Sequence, residues 1–434
     1  MKMTADFANA SDVLAQYDAL AARPADVTTP QALAMADALA NALRAALMTS
    51  TALAPRPKRA KAAAPLAFDM GAQSFARALR LVMRASATGG RYVFPILSAV
   101  RLDASGDVLR LTCSDVDREI SVAVEAPGVG DWAAAVNAKA LAALVGKAKG
   151  QLEMRRDGEA LHISGAVTAI LQSLDVANWP RSPAPLESVA LPIQPDELRG
   201  LLAFAAPAVS TEETRYYLNG AFMHVNGAGQ LAAVATDGHR LHRAQMDGWK
   251  GLEFPAVIIP RATVADMLAL LATPGEAFAF NVGGHGVTMT MGPVSLASKV
   301  IDGSFPDYVR VIPSRPPHVV EMAAADLDAA LSKAAALKDR RAGASAFAQL
   351  IFAPGGVEVT ARNADGVTLS EHVKADDCRC SFEFGFNVAN LREAIKSAGA
   401  ERVAFHISGE NDAVIIADAA GDGSRVAVVM PMRR

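Results

Sequence analysis

Residues 214–243 read Thr-Arg-Tyr-Tyr-Leu-Asn-Gly-Ala-Phe-Met-His-Val-Asn-Gly-Ala-Gly-Gln-Leu-Ala-Ala-Val-Ala-Thr-Asp-Gly-His-Arg-Leu-His-Arg. Asn226-Gly227 and Gly229 punctuate two apolar runs, and Thr236-Asp237-Gly238 separates a strand at 231–235 from another at about 240–246. Turn residues between short apolar runs predict an antiparallel meander. The polar residues at 237–240 exceed what a simple turn requires.

Working outward, the chain repeats itself from about Leu66 onward. Helices are expected near 72–85, 195–207 and 324–338. A second helix follows in each unit, introduced by Val136-Asn137-Ala138, Ile259-Pro260-Arg261 and Phe386-Asn387-Val388; these landmarks recur at steps of 123 and 127 residues. The first helices recur at nearly the same step, which points to a triplicated module. Between the helices, strand pairs flank Ser114–Asp117, Thr236–Gly238 and Asn363–Gly366. The expected fold class is α+β: three similar modules, each with antiparallel sheets and two helices covering one sheet face. The expected boundaries are 66–186, 187–314 and 315–434. Edge strands at the unit boundaries would pair with a neighbouring unit or a second chain.

Residues 1–65 differ from the body. Gln31–Met48 is rich in Ala, Leu and Met and suits a helix. Arg56, Lys58, Arg59 and Lys61 then crowd between Pro55 and Pro65 as a basic linker, read as a solvated tether or a weak electrostatic contact to nucleic acid.

Composition narrows the classes. The 434 residues allow two to four domains, and the net charge of −3 demands no nucleic-acid partner by itself. The chain is 51% apolar but only 6% aromatic, so cores built from Ala, Val, Leu and Met are expected. Cys113, Cys378 and Cys380 form no disulfide framework, and Cys378-Arg379-Cys380 reads as strand rather than a zinc half-site. No signal-peptide pattern and no apolar run of about 18 residues is evident. A soluble, cytoplasmic protein without a metal or cofactor is expected.

Charge is distributed unevenly. Arg77, Arg80 and Arg84 share one face of the first helix. Lys139, Lys147 and Lys149 follow in the first unit, Arg199 in the second, and Lys333, Lys338, Arg392 and Lys396 in the third. A basic helical face recurring in an acidic chain would hold a phosphate backbone without reading bases. Asp237 with His239 invites a hydrolase reading, but no nucleophile is arranged with them, and His239 and His242 lie three apart on a strand-like segment. Gly283-Gly284-His285-Gly286 reads as a hairpin turn.

At this point several ordered motifs coincide. Thr214–Gly220 with Ala235–Leu241 resembles the central domain of the bacterial DNA polymerase III beta subunit, the sliding-clamp family. Asp302-Gly303-Ser304-Phe305-Pro306-Asp307-Tyr308 with Arg310–Pro313 resembles the end of that domain. Gly385–Val388 resembles its third domain, Val428–Arg433 its tail, and Gly89-Gly90-Arg91 with Phe94–Leu97 a first-domain loop. The resemblance covers about 66–434.

The resemblance implies a head-to-tail homodimer closing into a ring around duplex DNA, with helices lining the hole and sheets outside. It implies a non-catalytic processivity factor that tethers the replicative polymerase through a short linear motif and is loaded by an ATP-driven clamp loader. It implies a peptide pocket at Tyr217, Leu218, Thr236, Gly238, His239, Arg240, Leu241, Pro306, Val311, Val428, Met430, Pro431, Met432 and Arg433, and a DNA-contacting Arg91. Arg434 after Arg433, the acidic Glu212-Glu213 and the segment 1–65 depart from the family pattern and point to a divergent or accessory member. A clamp-like peptide-binding protein that does not load on DNA is the alternative.

Overall fold

A computed structural model describes residues 67–87, 94–272, 277–314, 316–338, 346–376 and 378–432. All of the described residues belong to one compact unit, Ala64–Arg434. The expectations for 1–65, Arg91 and Arg433 fall outside the described residues.

Among the described residues six α-helices recur as three pairs: α1 (Ala72–Val82) with α2 (Ala138–Val145), α3 (Pro195–Ala205) with α4 (Arg261–Leu271), and α5 (Ala324–Ala336) with α6 (Val388–Ala398). In α1 the apolar positions Phe75, Leu79 and Val82 are buried, as a 3.6-residue period requires, and Arg77 and Arg80 face solvent. Asn137 and Asn387 cap α2 and α6 by accepting from backbone N–H groups of the first turn. Glu197 reaches back to the Gln194 N–H at the start of α3.

The first repeat contributes strands β1 (Ala99–Ser105), β2 (Val108–Ser114), β3 (Arg118–Glu125), β4 (Trp132–Asn137), β5 (Leu152–Asp157), β6 (Ala160–Gly165) and β7 (Ala169–Gln172). The second contributes β8 (Val189–Leu191), β9 (Gly220–Val225), β10 (Leu231–Thr236), β11 (Arg240–Met246), β12 (Val257–Pro260), β13 (Phe278–Gly283), β14 (Gly286–Met291) and β15 (Val294–Lys299). The third contributes β16 (His318–Ala323), β17 (Phe347–Ala353), β18 (Gly356–Arg362), β19 (Thr368–Asp376), β20 (Phe382–Asn387), β21 (Arg402–Ile407), β22 (Val414–Asp418) and β23 (Arg425–Val429).

Sheets run across the repeats. One has the order β4-β1-β2-β3-β15-β14-β13-β8, and a longer one β12-β9-β10-β11-β23-β22-β21-β16-β19-β18-β17-β20. The expected pairing of unit edges is therefore β3 with β15 and β11 with β23, both antiparallel. The remaining sheet, β5-β6-β7, ends at β7. On β19 only Ala375 and Asp376 pair with β16, so among the described residues its stretch 368–374 is paired on one side alone, with β18.

The triplication is visible in backbone hydrogen bonds. Leu174, Ile301 and Met432 donate their N–H to the carbonyls of Ala135, Ile258 and Gly385 at 2.7, 2.9 and 2.7 Å. Each acceptor stands three residues before the second helix of its repeat. The turn before β3, β11 and β19 places Val116, Gly238 and Gly366 at φ 81°, 90° and 82°. Val116 is the one non-glycine residue with positive φ among those described, and a β-branched side chain is strained there.

Two expectations need correction. Cys378 and Cys380 are buried in the connection between β19 and β20, not in a strand; the Cys378 thiol turns back toward the Cys380 carbonyl at 3.7 Å. The third repeat also has a ring-rich core, with Phe352 packed against Phe384 and Phe405 at centroid separations of 5.9 and 5.5 Å. A low overall aromatic content did not reveal that local concentration.

Candidate partner groove and basic helix face

The pairing of β11 with β23 sets Leu241 opposite Val428 and Arg240 opposite Val429. Leu241 and Val428 are buried together with Tyr308 and Ile415, in a cluster separate from the main core, and Phe222, Phe305 and Ile312 pack against it. Phe222 stacks on Phe305 at 4.8 Å, and His224 Nε2 meets the Tyr308 hydroxyl at 3.1 Å. Residues next to this floor along the chain leave apolar surface in water: Val309 and Val311 are 63% and 52% exposed, Met430 and Met432 42% and 47%. Exposed apolar side chains beside a packed floor form the kind of surface patch that marks an interaction site.

Local chemistry holds the rim. The His239 carbonyl accepts from Met430 N–H at 2.9 Å, which ties the tail to the turn. Thr236 Oγ1 donates to the Arg240 carbonyl at 2.7 Å and accepts from Gly238 N–H at 3.1 Å. A Cβ at Gly238 would lie 2.6 Å from the Arg215 guanidinium, and one at Gly303 3.1 Å from Tyr217 Cβ. Tyr217 and Tyr216 therefore lie against Gly303, at the start of the Asp302–Pro313 segment. Pro306 is exposed, Pro431 half-buried and His239 exposed, whereas Leu218 is buried.

Arg240 behaves differently from the groove contact expected of it. Its side chain is only 12% exposed and bonds Asp237 at 3.0 Å and Glu393 of α6. Asp237 Oδ1 also accepts from the backbone N–H groups of His239 and Arg240. The Asp237 carboxylate is thus committed to the turn and to Arg240; it does not orient the His239 imidazole, and no catalytic dyad forms. His242 is fully buried, its Nδ1 2.9 Å from the Phe204 carbonyl, and burial pushes its pKa down to about 4.

The junction between the first and second repeats carries different side chains in the same register. Register places Asp117, Glu119, Ala297 and Lys299 where the second junction has His239, Leu241, Val428 and Met430. Lys299 N–H donates to the Asp117 carbonyl at 2.8 Å, as Met430 does to His239. Its Nζ pairs with the Asp117 carboxylate at 3.0 Å. An ion pair therefore stands where the second junction has His239 and Met430.

Of the basic helix residues, Arg77, Arg80, Lys139, Lys147, Lys149, Arg199, Lys338 and Lys396 are exposed. Three others are engaged by acids, contrary to the expectation of a free cationic face. Arg84 pairs with Asp266, Lys333 with Glu371 and Arg392 with Asp328. The Arg392 pair holds the Asp328 carboxyl below the usual range. Asp266 is buried, and burial pushes its carboxyl up against the pull of Arg118 and Arg84.

Family models for the DNA polymerase III beta subunit match the central domain over residues 192–307 and the C-terminal domain over 309–433. The curated beta sliding clamp of Caulobacter vibrioides is 32% identical over 352 residues, covering 79% of this chain and 94% of that protein. The chain belongs to the beta sliding clamp family. The clamp of Pseudomonas aeruginosa is 29% identical over 377 residues, covering 84% of this chain and 99% of that protein. Solved clamps agree in fold. The Bartonella birtlesii clamp bound to griselimycin has a TM-score of 0.78 at 28% identity, covering 85% of this chain and 98% of that one. The Caulobacter crescentus polymerase III beta structure has a TM-score of 0.76 at 31% identity, with coverages of 84% and 99%. This is a DNA sliding clamp, a non-catalytic processivity subunit that acts in replication on DNA. No helix among the described residues is long and apolar enough to cross a membrane.

Sequence reading of the clamp missed Val309 on the groove rim, Phe305 and Ile312 beneath it, and Glu393 as the partner of Arg240. The Val309-Arg310-Val311 alternation carries the first signal. Aligning the second helices of the repeats finds the last, because Glu393 and Asp266 are both the sixth residue of their helix.

Proposed function

We propose that two copies of this clamp close head-to-tail into a ring around duplex DNA, with β7 of one copy paired antiparallel to β19 of the other. The supporting observation is the shared register of the two junctions within the chain. Arg118 pairs with Ser298 and Arg240 with Val429. Carried to the third repeat, this register sets Thr368 against Leu171 and Leu369 against Ile170 of the second copy. Ile170 is 61% exposed on the open edge of β7, which suits burial against Leu369. The domains take the boundaries 66–186, 187–314 and 315–434 in this reading. DNA lies against Arg77, Arg80, Lys139, Lys147, Lys149 and their counterparts, held topologically, so sequence-independent contact suffices. An ATP-driven loader opens the ring, and the clamp works in the cytoplasm.

The groove over Leu241 and Val428 takes a short linear peptide of the polymerase, anchored by a leucine or phenylalanine. Met430 and Met432 supply an adaptable wall, and Val311 the facing one. Griselimycin, bound in the Bartonella clamp, is a ready competitor to try against such a peptide.

Retention on nicked circular DNA after loading, with release on linearisation, tests the whole reading. A protein that binds the peptide but is never retained on the circle would instead be an interaction protein. The acids on Arg84, Lys333 and Arg392 favour that second reading, since they thin the basic face.

A further inference from the structure

The starts of β3 and β11 carry one set of contacts twice. Arg118 Nε donates to Asp115 at 2.8 Å and Nη1 to Asp266 at 2.7 Å. Arg240 Nε donates to Asp237 at 3.0 Å and Nη1 to Glu393. In each case one aspartate lies three residues upstream, and its Oδ1 also accepts from the arginine N–H, at 2.9 and 3.0 Å. In each case the second acid is the sixth residue of the second helix in the following repeat. Both arginine side chains are largely buried, 18% and 12% exposed. Each therefore stitches a strand edge of one repeat to a helix of the next by charge-assisted bonds partly shielded from water.

The first of these junctions has an ion pair where the second has its groove, yet its arginine is held in the same way. The contact therefore exists for the junction and not for a peptide. The third repeat retains the turn, with Gly366 at φ 82° and Asp365 three residues before Thr368. Thr368 occupies the arginine position, and Ala143 is the sixth residue of α2. Both partners of the latch are missing from the surfaces that would form the seam between copies.

We propose that Arg118 and Arg240 are positioning residues that latch the two junctions within the chain, and that the absence of this latch from the seam between copies sets how readily that seam exchanges. This rests on the ring reading above. Arg240 then acts on partner docking only by holding the Asp237–Arg240 turn beside Met430.

The test transplants the latch. Thr368 and Ala143 are both exposed, so Thr368→Arg with Ala143→Glu should fold as the parent does. Subunit exchange between differently labelled dimers reads the seam. The double variant should exchange about tenfold more slowly than the parent, while each single variant changes exchange less than about twofold. Thr368→Lys with Ala143→Asp, lacking the planar fork, should slow it less. Light scattering of the parent separates the two readings. A monomeric parent overturns the ring. A dimeric parent whose double variant exchanges at the parental rate overturns the latch. An Arg240→Gln variant that loses peptide binding without loosening α6 in hydrogen exchange would also overturn it, by returning Arg240 to the groove.

Discussion

Acid should weaken the junction between the second and third repeats through His242. Its side chain is wholly buried on β11, opposite Ala427 of β23, with Nδ1 2.9 Å from the Phe204 carbonyl near the end of α3. Nδ1 therefore carries the proton of the neutral ring and donates to Phe204, while Nε2 is buried without a hydrogen-bond partner among the described residues. Charging the ring would place a cation in that apolar site, next to Arg240. Burial accordingly depresses the pKa from the ordinary 6.5 to about 4.

Because the folded pKa lies below the unfolded one, the unfolded chain takes up the proton first. The stability tied to the neutral ring is present above pH 6.5 and is lost progressively as pH falls through 6.5 toward 4. The gap corresponds to roughly 3 kcal/mol. His242→Leu removes the titration and also the bond to Phe204, at a cost of about 1 kcal/mol at pH 7. Urea unfolding of parent and variant at pH values from 7.5 to 4 measures the difference. The variant should be the less stable at pH 7 and the more stable near pH 4.5, so the curves cross. Parallel curves across that range would refute a neutral buried imidazole.

Replacing Val116 by glycine should stabilise the protein by about 1 kcal/mol, because relief of a left-handed β-branched residue exceeds the added chain entropy; thermal melts check this. Ile170→Asp should weaken each seam by about 2 kcal/mol and shift the dimer toward monomer in concentration-dependent light scattering. Val311→Asp should weaken polymerase-peptide binding by about tenfold in fluorescence anisotropy while leaving dimerisation alone. Arg77→Gln with Arg80→Gln should lower the slope of log affinity for linear duplex DNA against log salt by about 2, with no change at Arg392→Gln, whose cation is already held by Asp328.

The frame of the fold was legible because it is written in local chemistry. Asn137, Pro260 and Asn387 mark helix starts by capping or by fixed φ, and Gly238 and Gly366 mark turns that need positive φ. Such residues signal their backbone state whatever surrounds them. The turn at Ser114–Asp117 was also legible, but the positive φ of Val116 within it was not, because valine carries no signal for a conformation that only the surrounding sheet enforces. The residues of the proposed groove came through resemblance to a family, but the direction each side chain takes was not legible there. Arg84, Lys333 and Arg392 looked like free cations from helical spacing, yet their acids stand between 38 and 182 positions away in the chain, at Asp266, Glu371 and Asp328. Pairing at that separation depends on how repeats meet, which no local pattern encodes.

Alignment of the repeats recovers part of what single-segment reading loses, because the backbone frame is constant and the side chains at equivalent positions are not. At the position after the turn, the three repeats carry Arg118, Arg240 and Thr368. One residue further they carry Glu119, Leu241 and Leu369. The first junction is latched and polar, with Lys299 paired to Asp117. The second is latched and apolar, with Val428 facing Leu241, and it opens to solvent at Met430 and Met432. The third set is unlatched and apolar, with Leu369 on an edge that nothing among the described residues pairs between 368 and 374. In the proposed ring, the latch holds the second junction together beside its groove, and the apolar edge of the third set is left to meet a second copy without one. Arg118, Arg240 and Thr368 decide where a latch forms, and Glu119, Leu241 and Leu369 beside them whether the neighbouring contact is polar or apolar.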